Sequence, residues 1–260
     1  MTATTAPRQR AARRVTPQHI GLLGVAALAW AGVIAFARHM GNGAGTMGLP
    51  FGEFMGMWSL MMAAMMLPAV APVATLYART ITSNPVRRLL LFVGGYLVVW
   101  SAVGVPAYLA LRVVDDRAAG AGSTMRIVAV VILGAVGIYQ LTPLKTICLR
   151  HCRSPLGQLL HYGNMKGRGR DLKVAVHHAG FCLGCCWALM ALFVAFGVMN
   201  LWAMLGLAAL VVGEKVSRHG ETIGRVAGAM LLALAVLVAA SPRIADAVVP
   251  TSSGSTMKGM

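Results

Sequence analysis

Residues 54–78 read FMGMWSLMMAAMMLPAVAPVATLYA, twenty-five positions without a charged side chain. An α-helix rising 1.5 Å per residue needs about 20 mostly apolar residues to cross about 30 Å of hydrocarbon, so this stretch is long enough to span a bilayer. Further apolar blocks lie on both sides of it, at about 20–37, 89–111, 125–147, 174–196, 201–213 and 223–240. The 260-residue chain is 58% hydrophobic and 12% charged, and its mean hydropathy is +0.72. Those values exclude a soluble globular domain. The fold they predict is an all-α integral membrane bundle of about seven transmembrane helices. The count falls to six if the fifth block and the short sixth merge through residues 197–200.

Net charge is +16, from 23 Lys and Arg against 7 Asp and Glu. The basic residues sit between apolar blocks and not on a soluble fold of their own, so they read as membrane topology and exclude nucleic acid as a partner. Seven spans with the N-terminus inside put seventeen Lys and Arg in cytoplasmic segments against six outside, which predicts the cytoplasmic membrane with N-in, C-out topology. Residues 1–19 form a basic cytoplasmic tail, 20–241 the membrane domain and 242–260 a polar, disordered tail. The Arg-rich start and Ala35-Phe36-Ala37 also resemble a cleavable signal, but the apolar stretch is longer than a signal core and reads as a retained anchor. Gly220, Gly224 and Gly228, at every fourth position, and the pair Gly180 and Gly184 read as helix-packing faces.

The cysteines carry the clearest chemical signal. Cys148 and Cys152 are four residues apart, and Cys182, Cys185 and Cys186 follow the same helical spacing on the next block. Antiparallel neighbours bring both groups to one side. His151, His177 and His178 flank them. On a reducing cytosolic side these thiols read as soft-metal ligands and not as structural disulfides. Thiolates with imidazoles suit copper(I) best, with zinc or iron as alternatives.

The second block adds Met57, Met61, Met65 and Met66, with Glu53 at its start, and Met40 and Met47 precede it in the outer loop. Thioethers are soft ligands that do not titrate, so this stripe reads as a copper(I) relay, while ordinary core packing gives the same pattern. Pro68 and Pro72 free carbonyls within the span, as a ligand path or a plain kink would require. Tyr139, Gln140, Thr142, Lys145, Asn200, Glu214 and Lys215 are the polar groups at membrane depth or its border. A Lys145–Glu214 contact and separate snorkelling to the interface are both open. There is no Gly-Lys-Ser/Thr phosphate loop, no His-Glu-x-x-His motif and no Gly-x-Ser-x-Gly elbow, so nothing points to energy-coupled pumping by this chain alone.

Trp58, Met61, Met65-Met66-Leu67-Pro68 and Pro72 form one motif, and Tyr139-Gln140-Leu141-Thr142-Pro143-Leu144-Lys145 with Cys148, Cys152-Arg153 and Pro155 a second. The third is Gly184-Cys185-Cys186-Trp187 with Met199-Asn200-Leu201 and Glu214-Lys215. Together, over residues 51–218, they resemble a family of uncharacterised bacterial multi-pass membrane proteins described as predicted metal-binding, a domain of unknown function. The resemblance implies a multi-pass architecture and a metal site, and leaves the metal and any reaction open.

The functional reading is a multi-pass membrane protein that binds copper(I) in metal handling or transport, in contact with lipid and with a metallochaperone or membrane complex. A thiol or metal-dependent membrane oxidoreductase and a structural or assembly subunit are the alternatives. Whether the chain is an enzyme stays open.

Overall fold

A helix satisfies its own backbone hydrogen bonds, so apolar blocks of this length fold as helices and then need partners only for their ends, breaks and polar side chains. In the computed structural model the described residues are 16–40, 48–79, 84–118, 122–154 and 169–248, with Thr46, Gly157, Tyr162, Gly163, Met165 and Gly167 between them. The helices are α1 (Pro17–Met40), α2 (Phe51–Arg79), α3 (Pro85–Ala102), α4 (Gly104–Ala118) and α5 (Gly122–Leu141). They continue as α6 (Pro143–Arg153), α7 (Arg170–Phe196), α8 (Leu201–Val216), α9 (Gly220–Ala240) and α10 (Pro242–Val248). No strand occurs among the described residues.

Among the described residues six segments are long and apolar enough to cross a membrane: 17–38, 51–78, 85–113, 124–141, 170–196 and 220–240. The all-α bundle is therefore as the sequence predicts, and the six long spans arise without the alternative merger of the fifth and sixth blocks. Gly197, at φ +85°, reverses the chain in a conformation that disfavours side chains. Asn200 then caps α8 by accepting from the backbone N–H groups of Trp202 and Ala203 (both 3.1 Å). At 16 residues α8 is about 24 Å long, a short arm of a hairpin.

The fourth block ends earlier than the sequence suggests. Pro143 has no N–H to offer the Tyr139 carbonyl four residues back, and the Thr142 hydroxyl donates to that carbonyl instead, at 2.7 Å. Thr142 then caps the new helix α6, accepting from Lys145 N–H. Cys148 and Cys152 thus ride on a separate short helix. The third block breaks likewise, at Val103, and the Trp100 carbonyl takes the Trp58 indole N–H at 3.0 Å. Finally, Pro242–Val248 is helical, where the sequence reading has a disordered tail from 242; residues 249–260, the N-terminal basic tail through Val15 and Met47 lie outside the described residues.

The glycine stripe of α9 packs it against α5. A Cβ at Gly228 would lie 2.8 Å from Gln140 Cβ and 3.0 Å from the Gly137 carbonyl, whereas one at Gly134 would meet nothing within 4 Å. Gly228→Ala is expected to destabilise the protein by about 1 to 3 kcal/mol through overpacking. Gly134→Ala should leave the thermal midpoint in detergent unchanged or raised. Equal midpoints for the two variants would contradict this packing.

Candidate metal centre

Helix α6 leaves the α5 axis and lies against the middle of α7. Gly184 allows the approach, since a Cβ there would stand 2.9 Å from Cys148 Sγ. Tyr139 donates its hydroxyl to the Gly184 carbonyl and fixes the register. The contact brings Cys152 of α6 to Cys185 of α7, with sulfurs 3.9 Å apart. Cys186 Sγ is 3.3 Å from Cys185 Sγ, and Cys185 also donates to the Cys182 carbonyl at 3.1 Å. Cys152, Cys182, Cys185 and Cys186 are all buried, and all five thiols are free.

The fifth thiol stands apart. Cys148 is half-buried, packed on Gly184 and facing Tyr139, and burial raises its pKa.

Two further side chains complete the cluster. The Lys215 ammonium, from the last turn of α8, donates to Cys182 Sγ at 2.8 Å, and the Tyr96 hydroxyl of α3 lies 2.9 Å from the same sulfur. Neither carries a sequence signal that ties it to cysteine. The sequence marks Lys215 as a polar group at membrane depth or its border, and Tyr96 not at all.

The three histidines form an adjoining layer toward the start of α7. His151 stacks on Phe181 with centroids 3.7 Å apart and lies 5.6 Å from the His177 ring. His178 is buried, 3.2 Å from the Tyr162 hydroxyl through Nδ1, with the rings of Phe92 and Tyr96 about it. Beyond this layer Asp171 accepts from Arg88 at 2.9 Å and from the Tyr77 hydroxyl.

The polar residues singled out in the sequence divide into two roles. Lys145 and Glu214 meet at 2.7 Å, with side chains 2% and 1% exposed, so they pair in the interior and do not snorkel. Gln140 donates to Glu214 Oε1 at 3.1 Å and accepts from Lys145. Gly224 of α9 makes room for this pair, since a Cβ there would lie 3.2 Å from Glu214 Oε1. Asn200, by contrast, is a helix cap. On α2, Met57, Met61, Met65 and Met66 are buried in the core that also holds the thiols, and Glu53 is exposed at the first turn.

Two sulfurs bound to one metal at about 2.3 Å lie about 3.7 Å (tetrahedral) to 4.6 Å (linear) apart. Cys152 and Cys185 fall within that range, and Cys185 and Cys186 are closer than it. Among the described residues no group of three or more His, Cys, Asp or Glu side chains already has metal-binding geometry. The thiols hold hydrogen bonds to each other, to backbone, to Lys215 and to Tyr96 instead, and a soft ion entering would replace those bonds by rotation about χ1. The donor set, four buried sulfurs, fits a soft metal.

A cluster of buried thiols walled by apolar helices is the candidate site of this fold. The chain belongs to the PpoB2 family, described as copper chaperone, whose model matches residues 55–238. The match includes every cysteine, α8 and nearly all of α9, and its description ties the chain to copper handling. No curated protein and no solved structure matches the chain.

Removing one partner of a buried ion pair leaves an uncompensated charge and costs about 3 to 5 kcal/mol. Lys145→Met alone is thus expected to lower the thermal midpoint sharply, and Lys145→Met with Glu214→Leu to recover most of the loss. A double variant as unstable as the single one would show that the pair does not act as a unit.

Proposed function

We propose that this protein is embedded in the cytoplasmic membrane, N-terminus inside and C-terminus outside, and receives copper(I) as cargo on its buried thiols. The observation that carries the reading is the convergence of Cys152 with Cys182, Cys185 and Cys186 from two helices, in the interior of a copper-family bundle. Cys152 and Cys185 are the first pair of ligands, Cys182 and Cys186 exchange onto the metal, and Cys148 is not needed. His151, His177 and His178 order the adjoining layer. Charged ligands are costly within a bilayer, and thioethers avoid that cost, so Met57, Met61, Met65 and Met66 serve as the relay between the thiols and the outer face, where Glu53 lies. The cargo passes to or from a metallochaperone or a membrane complex.

Binding itself is ligand exchange without electron transfer: each thiol that takes the ion loses its proton to water. A dithiol oxidoreductase would use the same sulfurs, whose close spacing also permits disulfide formation. Quantifying copper in detergent-purified protein, loaded anaerobically with copper(I), separates the two. Wild type and Cys148→Ser are expected to retain stoichiometric copper, and Cys152→Ser and Cys185→Ser to lose it. Copper retained by Cys185→Ser, or lost equally from Cys148→Ser, would contradict the assignment.

A further inference from the structure

Two lysines and one carboxylate meet where α8 packs against its neighbours. Lys145 is neutralised by Glu214 at 2.7 Å. Lys215, the next residue on α8, turns to the opposite neighbour and contacts sulfur, its ammonium 2.8 Å from Cys182. Its position follows from the helix. Consecutive residues point about 100° apart, so Glu214 faces α5, α6 and α9 while Lys215 faces α7. The site therefore has a built-in positive charge that Glu214 does not cancel.

That charge acts differently on different metals. When copper(I) binds two thiols, both protons leave and the dithiolate complex carries one negative charge. A divalent ion on the same two sulfurs carries none. Whatever number of thiols binds, the copper(I) complex is one unit more negative than the zinc complex on the same set. A cation within a few ångströms, in a poorly screened interior, favours the first over the second.

We infer that Lys215 is the specificity-determining residue that makes the thiol site prefer monovalent over divalent metal. The inference rests on the thiols being the copper(I) site, and adds how that site rejects zinc, which thiolates alone bind well. Lys215 acts through charge and is not itself a ligand. Tyr96 shares Cys182 with it but brings only a hydrogen bond, at 2.9 Å.

The test compares copper(I) and zinc affinities of detergent-purified protein under anaerobic conditions, each by competition with a chromophoric chelator for that ion. Variants are Lys215→Met, Lys215→Gln, Lys215→Arg and Tyr96→Phe. Lys215→Gln keeps an N–H donor without charge, which separates loss of charge from loss of the hydrogen bond. Both charge-free variants are expected to shift the copper-to-zinc preference toward zinc by about a thousandfold, the scale of one unit charge at about 4 Å in a medium of effective dielectric about 20. Lys215→Arg and Tyr96→Phe should leave the ratio near that of wild type. A purely structural role would lower both affinities together and leave the ratio unmoved, which would overturn the inference while the copper site stands. Wild-type protein that binds no copper(I) would overturn the copper site itself, and the inference with it.

Discussion

Inside a bundle of apolar helices a polar side chain persists only where a polar group from another helix meets it, and Lys145, Glu214 and Gln140 meet that demand together. Their hydrogen bonds tie the α5–α6 break to the last turn of α8, and the glycine face of α9 leaves space for them. With α8 anchored there through Glu214, Lys215, about 100° further round the helix, meets Cys182. The interaction that settles the packing of the second half of the chain thus also sets the electrostatics of the thiol site.

The second organising feature is the Thr142–Pro143 break. It places Cys148 and Cys152 on a short helix of their own. The break starts a new helix, capped by Thr142, that crosses α7 where Gly184 permits contact. Cys148 is consumed by that contact, and Cys152, one turn further, reaches Cys185. The two thiols of one i, i+4 pair consequently have different surroundings and different roles.

Much of this was readable from the chain. Runs of about twenty apolar residues predict the helices, and Cys182, Cys185 and Cys186 share a helical face whatever packs beside it. The Lys145–Glu214 contact was one of two open readings, because a lysine near a helix end either snorkels or finds a partner. Two things were hidden, while the shortness of α8 was already legible in its 201–213 block. The departure of α6 from α5 depends on Thr142 taking up the carbonyl that Pro143 leaves free. Lys215 and Tyr96 reach Cys182 from helices distant in sequence, and no local spacing reports such a meeting.

The central claim is that copper(I) sits on sulfur in the interior of the bundle. X-ray absorption at the copper edge of the anaerobically loaded protein reads the ligand atoms directly. The account predicts a first shell of sulfur alone around a reduced ion. A first shell containing histidine nitrogen or carboxylate oxygen would contradict it and move the site to the histidine layer or to the surface.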